Sequence, residues 1–346
     1  MQRCLELAKL GEGRVSPNPM VGCVIVHEGK IIGEGFHARL GEAHAEVNAI
    51  LSVENRELLK DSALYVSLEP CSHQGKTPPC APLIVENQIP QVKIAMHDPN
   101  PMVSGNGIKL LEDAGIHVES GILEKEAREL NRSFIWAQEK KLPYVILKWA
   151  ETEESWMDRR RESFEAGPLK ISSKQTDIWT HELRSKVDAI LVGRRTFELD
   201  KPSLTVRHVE GKNPIRIVLD PQASIHDFLL ESKESLTLTI SALSEYSSLA
   251  MKRVKLDDWS SPWALMKMLY DSGIHRLLVE GGSQTLQWFL NNGNWNEIRR
   301  IRGQKSNLLD GLEAPSIPVN ANLIEVLQSS TDRIEIYRMP SGDPNL

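Results

Sequence analysis

The sequence predicts an α/β protein built from two layered domains, and three observations predict it. Strand-like and helix-like segments alternate along most of the chain. The 346 residues exceed what one core usually organises. Composition also shifts near the middle, all four cysteines lying before residue 81 and all eight tryptophans from Trp136 onward. A boundary is expected at Leu142-Pro143, giving domains 1–142 and 143–346.

In order, Cys4, Leu7 and Ala8 form the apolar stripe of a first helix that Gly11 stops. The loop Val15-Ser16-Pro17-Asn18-Pro19 leads to two strands, Val21–Val26 and Lys30–Gly35, turned by His27-Glu28-Gly29. Their continuous apolar character suits a sheet covered on both faces. A helix from Ala45, a strand Ala63–Ser67, a helix from Cys80, a strand Val92–Met96, a helix Gly107–Ala114 and a strand near Val118 follow, so the later strands are expected to run parallel. One polar helix is expected over 125–141. Beyond the strand Tyr144–Trp149, helices at 173–186, 263–272 and 283–291 alternate with strands at 189–192, 215–219, 236–240 and 276–279. The last forty or so residues carry weak periodicity, and no clear strands are expected after Glu297.

With 40% hydrophobic and 25% charged residues, the composition is that of a soluble globular protein. Lys+Arg 41 against Asp+Glu 47 leaves a net charge of −6, which argues against nucleic-acid or anionic-membrane partners. No run approaches the roughly 18 apolar residues of a spanning helix, and Met-Gln-Arg-Cys-Leu-Glu lacks an apolar signal core. A cytoplasmic location is expected.

The cysteines are too few for a disulfide scaffold in a chain this long. His44-Ala45-Glu46 opens a predicted helix, and Pro70-Cys71, eight residues, then Cys80 follow a predicted strand. One imidazole and two thiolates make a three-ligand zinc set with a fourth position open to water, as catalytic zinc sites have. Glu46, two residues from His44, can move protons beside the metal without binding it. This is the logic of hydrolytic zinc deaminases. The competing readings are inert core thiols or a structural zinc. Cys4 and Cys23 read as core residues.

These residues carry a resemblance. The run Pro70-Cys71-Ser72-His73-Gln74-Gly75-Lys76-Thr77-Pro78-Pro79-Cys80, with Pro17-Asn18-Pro19-Met20-Val21-Gly22, His44-Ala45-Glu46 and Asp98-Pro99-Asn100-Pro101, resembles the deaminase half of the RibD family of bifunctional riboflavin-biosynthesis enzymes. A cytidine-deaminase-like three-layer α/β/α domain is implied. His73 and Lys76 beside the metal suit a sugar phosphate, and Asn18 suits the pyrimidine ring.

The second half has no Gly-x-Gly-x-x-Gly or Walker motif. Leu277-Leu278-Val279-Glu280-Gly281-Gly282-Ser283 is a strand, then glycines, then a helix start, a weak phosphate signal on its own. Leu147-Lys148-Trp149-Ala150, His181-Glu182-Leu183-Arg184, the segment 187–193, Pro202-Ser203-Leu204-Thr205-Val206-Arg207 and Val279-Glu280-Gly281-Gly282 together resemble the RibD reductase half, which is dihydrofolate-reductase-like and uses NADPH. By that resemblance Lys148, Arg184, Leu204, Arg207 and Glu280 hold the phosphoribosyl pyrimidine. Ala150, Thr196, Asp200, Gly281, Gly282 and Ser283 face NADPH, with Asp200 also a candidate for proton management. Two departures stand out: Thr152-Glu153-Glu154-Ser155 replaces the family's Ser-Leu-Asp-Gly, and Lys201 follows Asp200 where Asp or Asn is usual.

The resemblance implies deamination of a diamino-pyrimidinone ribosylamino 5′-phosphate, then reduction of its ribose, by a homo-oligomer. Rival readings are a deaminase of a free base or nucleoside with an inactive second domain, and an RNA-editing or RNA-binding protein on the deaminase fold.

Overall fold

The computed structural model describes residues 1–74, 78–100, 103–161, 167–225, 236–242, 246–247, 251–304 and 308–340. Met1–Lys141 form one compact unit, and a second begins at Leu142.

In the first unit, α1 (Gln2–Lys9) precedes the hairpin of β1 (Gly22–His27) and β2 (Lys30–Phe36). Glu28 and Gly29 both take positive φ, 47° and 75°, as a two-residue hairpin turn matching strand twist requires. Then come α2 (Ala45–Leu51), β3 (Ala63–Val66), α3 (Cys80–Glu86), β4 (Gln91–Ile94), α4 (Asn106–Asp113), β5 (His117–Ser120), α5 (Glu124–Leu130) and α6 (Arg132–Lys140). The sheet order is β2-β1-β3-β4-β5. β1 pairs antiparallel with β2 and β3, while β3, β4 and β5 run parallel.

Alternate side chains of β1 enter different cores. Cys23 and Ile25 pack with Ala45, Ala49 and Ile50 of α2, Ile84 of α3 and Leu111 of α4. Val24 packs with Cys4 and Leu7 of α1. Leu5, Met96, Ala127 and Ile135 bring α1, α5 and α6 together. The unit is therefore a three-layer α/β/α sandwich.

The single helix expected over 125–141 is two. Asn131 breaks it, because its side chain pairs with the backbone of Met20: Oδ1 accepts the Met20 N–H at 2.8 Å and Nδ2 donates to the Met20 carbonyl at 2.9 Å.

The second unit holds β6 (Tyr144–Glu151), β7 (Trp156–Asp158), α7 (Lys174–Ser185), β8 (Ala189–Gly193), α8 (Arg194–Asp200), β9 (Ile215–Leu219), β10 (Thr237–Ser241), β11 (Tyr246–Ser247) and β12 (Met251–Lys255). After these come α9 (Trp263–Asp271), β13 (Arg276–Gly281), α10 (Ser283–Asn291), β14 (Glu297–Arg302), β15 (Leu312–Glu313), β16 (Asn322–Ser329) and β17 (Asp332–Arg338). Among the described residues the main sheet has ten strands in the order β11-β12-β10-β9-β8-β13-β6-β14-β17-β16. From β12 to β14 the pairings are parallel. Leu147, Trp149, Leu191, Ile217, Leu269, Val279, Phe289 and Ile298 share its core.

Strands after Glu297 do exist, contrary to expectation. β14, β17 and β16 close one side of the sheet, with charged residues interleaved among the buried Ile298, Ile301, Ile334 and Ile336. Arg300 on β14 pairs with Glu335 on β17 and approaches Glu151 on β6 at 3.5 Å, and the Trp149 indole donates to Glu151 at 2.8 Å. Cross-strand pairing of opposite charges adds to that apolar packing. No described helix is long and apolar enough to cross a membrane.

Candidate active sites

His44 is the extended residue that starts α2, and the helix lies hard against β2. A Cβ on Gly35 would fall 2.3 Å from the Ala49 nitrogen and 2.5 Å from the Ala45 oxygen, so glycine sets how closely α2 approaches. Cys71 follows β3, and Cys80 is the first residue of α3. The loop between them closes on itself, with the Ala81 N–H on the Cys71 carbonyl at 3.0 Å and the Cys80 N–H on the Cys71 sulfur at 3.4 Å. These anchors bring the three side chains together. Nδ1 of His44 lies 3.6 Å from Sγ of Cys71 and 3.4 Å from Sγ of Cys80, and all three ligand atoms fall within 4.8 Å of one another. One imidazole and two thiols so arranged suit Zn²⁺.

The electrostatics are those of a buried proton store. Glu46 is 3% exposed, and burial together with the nearby Cys71 thiolate pushes its carboxyl up to about 7. The Cys80 thiol beside Cys71 and the His44 ring hold the Cys71 thiol well below the usual range, while Cys80 is pushed up.

Asn18 is half-buried, and its Nδ2 donates to Nε2 of His37 at 3.2 Å. Nδ1 of His37 then donates to the Ala43 carbonyl at 3.1 Å, and the His37 ring meets the His44 ring edge-on at 5.4 Å. His73 is exposed and faces Asp98, whose carboxyl burial raises. Lys76 lies outside the described residues.

Two residues that sequence reading missed order this pocket. His37 links Asn18 to the His44 loop. Glu69, 4% exposed, accepts the N–H groups of Gly105 and Gly107 at 3.0 Å and, more weakly, those of Asp98 and Ile108. Its carboxylate thus sits on the start of α4, where partial positive charge gathers, and a Cβ on Gly107 would strike the Pro70 oxygen at 1.9 Å. Glu69 stands immediately before Pro70-Cys71, which is the one signal that could have found it.

In the second unit, β6, α7 and β13 bring Lys148, Arg184 and Glu280 together. Arg184 donates two bonds to Glu280, at 3.0 and 2.6 Å, and a third to the Thr205 carbonyl at 3.3 Å. Burial lowers Lys148, opposed by Glu280. Burial alone would raise Glu280, but Arg184 and Lys148 hold it down at about 2. Leu204 is buried, and Arg207 sits beside it, its guanidinium meeting the hydroxyls of Ser203 and Thr205.

Of the residues expected at NADPH, Thr196 and the turn Gly281-Gly282-Ser283 come together. Thr196 on α8 accepts the Gly282 N–H at 2.9 Å, and a Cβ on Gly282 would stand 2.7 Å from that hydroxyl, so glycine is needed for the close approach. α10 opens at Ser283 directly after this turn, presenting N–H groups without helical acceptors. The site therefore suits a phosphate-bearing cofactor. Ala150 lies on β6. Asp200, at the end of α8, is bound to Arg161 at 2.5 Å, and Arg161 also pairs with Asp158. Sequence reading missed Arg161, which is buried; nothing marked it, since one of its two acids, Asp158, is three residues away but the other, Asp200, is brought near only by the fold. At the departure from the family pattern, residues 152–156 form a tight turn with Ser155 at φ 67° where the family has glycine.

Comparison with known proteins identifies the family. The family profile described as "Cytidine and deoxycytidylate deaminase zinc-binding region" matches residues 1–96, and "RibD C-terminal domain" matches 143–302. The chain is 39% identical to the riboflavin biosynthesis protein RibD of Aquifex aeolicus over 305 residues, covering 86% of this chain and 84% of that protein. It is 38% identical to RibD of Bacillus amyloliquefaciens, covering 92% and 86%. A crystal structure of a diaminohydroxyphosphoribosylaminopyrimidine deaminase/5-amino-6-(5-phosphoribosylamino)uracil reductase from Thermotoga maritima superposes with a TM-score of 0.88 at 35% identity, covering 98% and 97%. RibD of Acinetobacter baumannii gives 0.87 at 30% identity, covering 98% of each chain.

Proposed function

This chain belongs to the RibD family, and on that premise we propose that His44, Cys71, Cys80 and Glu46 carry its deamination and Lys148, Arg184, Leu204, Arg207 and Glu280 its reduction. It is a bifunctional enzyme of riboflavin biosynthesis, deaminating 2,5-diamino-6-(5-phosphoribosylamino)pyrimidin-4-one with zinc and reducing the ribosyl chain to ribityl with NADPH. The observation that carries the residue assignment is the convergence of one imidazole and two thiols within 4.8 Å, close in sequence to a buried glutamate.

His44, Cys71 and Cys80 would hold the zinc, which when bound would supply Lewis acidity that lowers the pKa of a bound water. The Glu46 carboxyl, poised near neutrality, takes a proton from the attacking water and returns it to the departing amine. Asn18, oriented by His37, accepts from the pyrimidine, and His73 and Lys76 offer cationic and hydrogen-bonding contact to the phosphate.

In the second unit, Arg184 and Arg207 bind and orient the phosphoribosyl group, with Lys148 and Glu280 on its polar edge. Thr196 and the turn Gly281-Gly282-Ser283 hold NADPH, with Ala150 alongside. Asp200, already ion-paired with Arg161, fixes the end of α8 beside the cofactor, and proton management falls to it only if substrate displaces Arg161. The enzyme acts on a small molecule; we place it in the cytoplasm as a homo-oligomer with no nucleic-acid partner.

The test feeds the diamino substrate with and without NADPH and identifies products by mass. Deaminated ribosyl product alone without NADPH, and ribityl product with it, is the expected result. Deamination with no NADPH oxidation on the deaminated intermediate would favour a lone deaminase with an idle second unit.

A further inference from the structure

Helix α7 directs two side chains, His181 and Arg184, one turn apart, at the segment 203–207. His181 is 4% exposed, and its Nδ1 accepts the backbone N–H of Arg207 at 3.0 Å. The ring is therefore the neutral tautomer protonated on Nε2. Arg184 takes the Thr205 carbonyl at 3.3 Å, and Oδ1 of Asn213 takes the Val206 N–H at 2.8 Å. Three consecutive residues are thus each fixed by a different side chain.

The segment needs that restraint. Leu204, just upstream and 2% exposed, has φ 54°, a left-handed conformation that a leucine adopts only when its surroundings impose it. The His208 ring closes over His181, edge-on at 4.5 Å. Burial, with Arg184, Arg207 and His208 nearby and Glu280 alone opposing them, pushes the His181 imidazole down to about 4, so the acceptor at Nδ1 persists at neutral pH.

We propose that His181 is a positioning residue of the reductase site: by accepting the Arg207 amide it holds the strained 203–207 segment in the form that presents the Arg207 guanidinium to the substrate phosphate. The inference rests on the reading that Arg207 binds that phosphate. His181 acts through the backbone of Arg207 and has no step in the chemistry.

The test uses the full chain with three single variants. His181→Phe keeps a ring but removes the acceptor, His181→Asn keeps an acceptor near the Nδ1 position, and Arg207→Ala removes the guanidinium. Each is assayed for KM and kcat of NADPH oxidation on the deaminated substrate, and for inhibition by ribose 5-phosphate and by NADP⁺. His181→Phe is expected to raise KM and the ribose 5-phosphate inhibition constant about tenfold, the worth of one buried hydrogen bond. Its kcat and NADP⁺ inhibition should stay within about twofold, and His181→Asn should recover most of the loss. Arg207→Ala should raise both constants at least as much.

An effect of Arg207→Ala without any effect of His181→Phe overturns the positioning role and leaves the phosphate reading intact. No effect of Arg207→Ala overturns the phosphate reading itself. Should His181→Phe fail to fold, His181→Gln, whose amide overreaches the Nδ1 position, replaces it. Equal KM in the Gln and Asn variants then rejects the proposal.

Discussion

In the first unit three ligand atoms converge on side chains drawn from residues 44 to 80, where helix starts and one closed loop fix them. In the second, Lys148, Arg184, Arg207 and Glu280 come from three elements and a loop spread over more than a hundred residues; charge holds Lys148, Arg184 and Glu280 together, and hydroxyl and backbone bonds hold Arg207. A metal site of the first kind depends on few residues, each indispensable. A charge network of the second kind shares its work, so single losses should be graded and should register in stability as well as in activity.

That contrast fails first if zinc ligation is not all-or-none. Cys71→Ala should abolish ammonia release and bound zinc together, as metal analysis and a coupled ammonia assay would read, while NADPH oxidation on the deaminated intermediate stays within about twofold. Bound zinc retained at full stoichiometry would break the account of the first site.

A second test bears on the network. Glu280→Ala leaves Arg184 and Lys148 buried without their counter-charge, a loss of about 3–5 kcal/mol. It should lower the thermal midpoint of the second unit and cut reductase kcat/KM by about 10²-fold or more, with deamination unchanged. Thermal scans with two-substrate kinetics decide it. A smaller effect is expected of Thr196→Val, which removes the acceptor of the Gly282 N–H: about 1 kcal/mol, read as a few-fold rise in KM for NADPH alone.

Acid should sharpen the contrast further. In the folded second unit His181 sits near 4 against 6.5 for the free side chain, and Glu280 near 2 against 4.5. From pH 6.5 down to 2 these two groups therefore bind more protons unfolded than folded, so their contribution to the second unit's stability falls as pH falls, first through His181 and then through Glu280. Urea midpoints between pH 7 and 4 should decline, and more shallowly in His181→Asn.

The same contrast explains what the sequence made legible. His44, Cys71 and Cys80 were readable because imidazole and thiol carry their chemistry in their identity and lie close along the chain. Most of the strands up to β13 were readable because apolar runs mark buried parallel strands, whereas β7, α8, β11 and β12 were not anticipated. β14, β16 and β17 were not, because charged residues such as Arg300 and Glu335 interrupt their apolar pattern and answer one another only across strands. Asn131 looked helical, and nothing local announced its bond to Met20. Glu69, His37 and Arg161 were invisible for a related reason: each works by meeting backbone groups or charges that only the fold brings near. The reductase residues became readable only as an aligned set, since a lone arginine on a loop is ordinarily a solvated charge.

Deamination turns on Glu46 moving protons beside a metal that it does not bind. Glu46→Gln, purified with its zinc counted, should keep near-stoichiometric zinc and full NADPH oxidation on the deaminated intermediate, while ammonia release falls by about 10²–10⁴-fold. Ammonia release within a few-fold of the parent at full zinc content would contradict it.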